Sequence, residues 1–204
     1  MNAAGRLTFE PVDDAVTVFD GGWLVPGLVG AHAPFPCSAR PATARSSPTG
    51  QGPARAQLEA GVLLAASGAL LIPTLLIADG IVGAIKAFGG DDDAAAAMRR
   101  ALDAQPALVA QGAGRGVSIL AGTDAGMGPH GQVATEISLL LKAGLSPEAA
   151  LAAGSWAARD YLGLPGIEEG APADLVAYRD DPTADVEALR RPAAVVLDGR
   201  LVRR

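Results

Sequence analysis

The stretch Val117–Gly126, VSILAGTDAG, constrains this chain more than any other. An apolar run stops abruptly on Gly122-Thr123-Asp124 and gives way to a loop rich in Gly, Pro and His. A carboxylate at the carboxyl end of a buried strand is where α/β proteins keep their chemistry. Asp124 is therefore the first candidate catalytic residue. A carboxylate in this position commonly works with histidines, and the chain has only two, His32 and His130.

Composition bounds the class of protein. A chain of 204 residues suffices for one sizeable domain, or a domain with a small appendage, and 50% hydrophobic residues supply its core. Aromatics make up only 4%, which suits close packing of Ala- and Gly-rich helices on a sheet. A formal net charge of −6 and scattered arginines argue against a nucleic-acid partner, which requires a clustered cationic surface. The single cysteine, Cys37, excludes an internal disulfide framework and reads as an incidental thiol in an irregular segment. The amino terminus lacks the apolar core of a signal peptide. The longest apolar stretch, Gly61–Ile77, is broken by Ser67-Gly68 and Pro73-Thr74, short of the ~20 residues of a membrane span. A cytoplasmic protein without membrane contact is expected.

The pattern along the chain is β at both ends and alternating β/α between. Arg6–Phe9, Ala15–Phe19 and Trp23–Val25 read as short strands, separated by Asp13-Asp14 and Gly21-Gly22 turns. Residues 33–53 are rich in Pro, Ser, Ala and Arg without hydrophobic period and read as an irregular loop. Helix is expected over Ala54–Ala66, strand over Ala69–Leu75 and helix over Ala78–Phe88. Asp91-Asp92-Asp93 then opens an Ala-rich helix that Pro106 interrupts near Gln105. Val117–Ala121 is the next strand, and Val133, Ile137, Leu140 and Leu141 share one helical face. Ser146-Pro147-Glu148 starts a helix that runs to about Leu162. Strands at Asp174–Tyr178, Ala193–Leu197 and Leu201-Val202 close the chain, the last two joined by an Asp198-Gly199 turn. The economical arrangement is a composite β domain of residues 1–26 and 167–204 around an α/β domain of residues 27–166.

The blocks WLVPGLVGAH (23–32), ALLIPTL (69–75), GVSILAGTDAG (116–126), PHGQVATEISLLLKAGLSPEAAL (129–151) and GIEEGAPADLVAYRDDPTADVEALRRPAAVVLDGRLV (166–202) resemble the amidohydrolase superfamily. The likeness is to its imidazolonepropionase-like and prolidase-type branch. That resemblance implies an α/β fold, a (β/α)8 barrel of the TIM type with a small β-sandwich formed by both termini. It also implies hydrolysis of carbon–nitrogen bonds by water activated on a divalent metal such as zinc, with a small-molecule substrate. Such an ion lowers the pKa of its water to ~7 and polarises the electrophile. By position, Asp124 would touch both metal and water, His32 would be the first histidine of a metal-binding His-x-His pair, and His130 would face the substrate.

The sequence departs from the pattern at defined places. Pro34 stands where the pair's second histidine belongs, and Gly30 where the preceding Asp belongs. The bridging Lys or Glu of the fourth strand and the histidines of the fifth and sixth have no counterparts. Residues 27–164 would have to hold a barrel that normally takes about 200–250 residues. The chain thus reads as lacking strands three to six, joined near Leu64–Ser67. A second function is compatible with these departures: an inactive remnant or pseudoenzyme that acts as an interaction module. An open barrel exposes sheet edges, so self-association is expected.

Overall fold

The computed structural model describes residues 1–2, 4–31, 70–125 and 129–203. The expected loop at 33–53, the helix at 54–66, Cys37, and the join near Leu64–Ser67 lie outside the described residues. Strand β1 is Trp23–Pro26, β2 Leu70–Leu71, β3 Ser118–Ile119, β4 Leu175–Tyr178, β5 Ala194–Leu197 and β6 Arg200–Arg203. Helices are α1 (Ala78–Ala87), α2 (Asp92–Gly114), α3 (Val133–Lys142), α4 (Pro147–Ala153) and α5 (Trp156–Tyr161), with 3-10 turns at Leu75–Ile77 and Val186–Arg190. Among the described residues, no helix is long and apolar enough to cross a membrane.

Both ends of the chain meet in one antiparallel sheet of order β1-β4-β5-β6. Trp23 pairs with Tyr178 and Pro26 with Leu175, so the register sends alternate side chains to opposite faces. Val25, Val176, Tyr178 and Val195 pack toward the main core, while Leu175 and Val196 cover a smaller cluster of Leu7, Ala171 and Ala173. Asp198 (φ 46°) and Gly199 (φ 69°) both adopt the left-handed conformation that a tight Asp-Gly hairpin requires. The expected sandwich is, among the described residues, a single sheet. Of the expected strand at residues 6–9, one bridge survives, Arg6 opposite Pro172, with the Leu7 N–H donating to Ala171 O at 2.8 Å. Residues 15–19 form no strand. Val16 is 83% exposed, and β-propensity without a partner ladder does not hold extended backbone.

The α/β body is built on β2 and β3, which run parallel with Leu70 opposite Ser118. Leu75, Val109, Ala121, Ile137 and Leu140 lie in its core. Ile137 and Leu140 are wholly buried, each contributing roughly 1.5–3 kcal/mol of transfer free energy. Asp91 caps α2 by accepting from the Ala94 N–H at 2.7 Å, so the triple-Asp run starts a helix. Pro106 does not interrupt α2, which is continuous from Asp92 to Gly114. An interior proline costs about 3 kcal/mol. The seven-residue stripe of Ala95, Leu102 and Val109 is buried on both sides of it, and that packing keeps the helix whole.

The helix expected from Ser146 to Leu162 is in fact two, α4 and α5, parted at Gly154-Ser155. Tertiary demand breaks it. Ala153 O accepts from the Ala121 N–H and Gly154 O from the Val29 N–H, each at 2.8 Å, while the buried Ser155 hydroxyl donates to Pro26 O at 2.9 Å. A Cβ on Gly154 would sit 2.6 Å from Ile137 Cδ1, so only glycine permits this approach. Arg159 of α5 then ties the body to the sheet: Nε donates to Pro165 O at 2.7 Å and a terminal nitrogen lies 3.5 Å from the Asp174 carboxylate. Its side chain is only 5% exposed.

Asp174 is partly exposed and keeps the Asp198 N–H at 2.7 Å, so removing its arginine costs less than breaking a fully buried pair, about 1.5–3 kcal/mol for the lost charged hydrogen bonding. Arg159→Ala is expected to lose that much in urea denaturation. Lys86→Ala, which removes the solvent-exposed pair with Asp92, is expected to lose less than about 1 kcal/mol.

Candidate functional site at the strand ends

Asp124 stands five residues beyond the end of β3. The segment between is fixed by its backbone: Leu120 N–H donates to Leu71 O at 3.0 Å, Ala121 N–H to Ala153 O at 2.8 Å, and Ala121 O accepts from Ala31 N–H at 2.8 Å. Ala121 is fully buried, and Thr123 and Asp124 are 4% and 8% exposed. Asp124 has φ 47°, in the left-handed region that non-glycine residues rarely occupy. Such residues cluster where a fold holds a functional group in place. A Cβ at Gly30 would lie 3.6 Å from Thr123 Oγ1, so the position where the family pattern has Asp does lie beside the Asp124 segment.

The three sequence-predicted residues fare differently. Asp124 is placed at the strand end, buried, with Gly30 and Ala31 alongside. His32 follows Ala31 directly and lies outside the described residues, as does Pro34. His130 is exposed, in the loop that leads from Asp124 to α3. Among the described residues, no three His, Cys, Asp or Glu side chains converge to hold a metal ion. A metal centre needs about three protein ligands with an open position. The described residues alone do not fit one.

Glu136 was missed in the sequence. It is wholly buried on α3, and its two carboxylate oxygens accept from the Leu75 and Leu76 N–H groups, both at 2.8 Å. Those are orphan donors at the start of the helical segment that follows β2. The signal was present: Glu136 falls at helical spacing within the apolar face of Val133, Ile137 and Leu140. A carboxylate on a core-facing stripe needs buried donors. Burial pushes the Glu136 carboxyl above the ordinary carboxylate range, with the two backbone N–H groups pulling it back. Folding therefore raises its proton affinity. The stability it contributes is complete below about pH 4.3, the ordinary glutamate value, and is lost as pH rises through the raised folded value. The stability advantage of the wild type over Glu136→Gln, which does not titrate, is expected to be largest at and below about pH 4.3 and to shrink as pH rises through the raised folded value, as read by denaturation at a series of pH values.

The sequence pattern of the amidohydrolase family matches residues 49–202. An uncharacterized protein of Mycobacterium tuberculosis is 37% identical over 139 residues, a match that covers 68% of this chain and 38% of that protein. The chain thus spans well under half the length of the curated relatives it matches. Among solved structures, a Xaa-Pro dipeptidase with bound methionine in its active site superposes with a TM-score of 0.61 at 25% identity, covering 72% of this chain and 37% of that one. A prolidase complexed with N-methylphosphonate-L-proline superposes at 0.60 and 25% identity, covering 72% and 38%. These likenesses identify the α/β body as part of a TIM-like fold. A pattern matched over residues 49–202, about three quarters of the chain, with prolidase-type structural neighbours, shows that the chain belongs to the amidohydrolase family.

Proposed function

We propose that this chain carries the strand-end carboxylate of a hydrolase acting on carbon–nitrogen bonds of small amide, cyclic-amide, imine or dipeptide-like substrates. The observation that carries the reading is the placement of Asp124: buried, left-handed, beyond a parallel strand and beside the Gly30–Ala31 segment. A carboxylate so held can take the proton of a water attacking a carbonyl or imine carbon and return it to the leaving amine. The neighbouring structures named as a Xaa-Pro dipeptidase and a prolidase support dipeptide-like amides as the substrate class. A divalent metal, zinc by family resemblance, would supply a polarised water. His32 and Asp124 are the candidate ligands and His130 the candidate substrate contact. The described residues do not by themselves complete a metal centre.

A second reading has its own support. Two histidines in the whole sequence, with Pro34 in place of the second member of the His-x-His pair, favour a chain that keeps the family fold without hydrolysis and serves as an interaction module. Strand β6 ends the sheet with Leu201 and Val202 40% and 58% exposed, an edge suited to self-association.

Assays of the purified chain against Xaa-Pro dipeptides and N-acyl amino acids, with divalent metal measured in the same sample, separate the two. The hydrolase reading predicts turnover that falls at least ~100-fold in Asp124→Asn, the scale of a lost general acid–base group. Absence of turnover in metal-supplemented wild type, together with light scattering that shows oligomers, establishes the second reading instead.

A further inference from the structure

Two non-glycine residues of the α/β body adopt left-handed backbone, Thr74 (φ 48°) and Asp124 (φ 47°). Both lie past the carboxyl ends of adjacent parallel strands. Thr74 follows β2 by three residues and Asp124 follows β3 by five. For a β-branched residue this conformation is strongly disfavoured, because Cβ crowds the backbone. Something must hold Thr74 there. Its own hydroxyl is turned to the adjacent carbonyl, donating to Pro73 O at 2.8 Å.

The next two N–H groups in the chain, those of Leu75 and Leu76, are the pair that Glu136 grips. Glu136 stands on α3, the first helix after Asp124, and Leu75 shares a core with Ala121, Ile137 and Leu140. We infer that Glu136 is a positioning residue: its bidentate grip on the Leu75 and Leu76 N–H groups holds Thr74 left-handed and locks the loop after β2 to the Asp124 strand end. The loop after β2, the Asp124 segment and α3 then move as one body. A single carboxylate with two donors does this because releasing either N–H leaves a buried polar group unpaired, which opposes each partial opening.

The inference rests on the hydrolase reading only in calling the strand end a site. Amide hydrogen exchange on the full chain tests it without substrate or metal, so a failed activity assay leaves it standing and its own failure leaves the hydrolase reading standing. Glu136→Gln keeps the shape but loses one acceptor. It is expected to speed exchange at Leu75 and Leu76 at least tenfold, and at Gly122, Thr123 and Asp124 by a similar factor. Adding Thr74→Gly, which relieves the left-handed strain, is expected to restore protection at 122–124 in the double variant. Faster exchange confined to Leu75 and Leu76 would make Glu136 a local cap and overturn the inference. Should Glu136→Gln fail to fold, Thr74→Gly alone decides. Slower exchange at both 75–76 and 122–124 supports the lock, and unchanged or faster exchange at 122–124 overturns it.

Discussion

The hydrogen bonds of two residues, Leu120 and Ala121, organise everything else. Leu120 N–H reaches Leu71, Ala121 N–H reaches Ala153, and Ala121 O receives Ala31 N–H. Three segments remote in sequence are thus pinned to one extended run, and each arrives with its own cargo. Residue 71 brings the loop carrying Thr74, residue 153 brings the break between α4 and α5, and residue 31 brings the amino-terminal segment. Buried backbone groups must be paired, so this small set of bonds fixes where all three segments lie. Asp124 is held at the strand end because everything around its strand is spoken for.

Buried polar side chains do the remaining joinery. Glu136 holds the segment after β2, the Ser155 hydroxyl holds Pro26, and Arg159 reaches both Pro165 and Asp174. Among the described residues, every buried side-chain nitrogen and oxygen has a partner. That completeness matters in a small body, where one stranded group costs a sizeable share of a stability of about 5–15 kcal/mol. The apolar core supplies the driving force, and these polar links decide which segment lies against which. The sheet made from both termini depends on two of them, through Ser155 and Arg159.

Elements with a strong local signal were legible in the sequence. The amphipathic face of α3, the Ser146-Pro147 start of α4 and the Asp198-Gly199 hairpin all rest on chemistry within a few residues, and all appear. What was not legible depended on partners far along the chain. Pro106 stays helical because Leu102 and Val109 are buried on either side, and the helix breaks at Gly154 because the Ala121 and Val29 N–H groups claim the carbonyls of Ala153 and Gly154. Residues 15–19 have strand composition but form no ladder. The strand-end position of Asp124 was legible because an apolar run ending on Gly-Thr-Asp is a local pattern. Glu136 left a trace as a carboxylate on the apolar face of α3, but its partners lie 60 and 61 residues away and have no local signature.

The proposed strand-end site stands on the convergence of residues 30–31 with residues 121–124. Nuclear Overhauser contacts in the isotope-labelled chain measure it directly. The account predicts cross-peaks between the Ala31 amide proton and protons of Ala121 and Gly122, with an Ala31 amide protected from exchange. An Ala31 amide that exchanges at the rate of an unstructured peptide, with no cross-peak to residues 121–123, would contradict it.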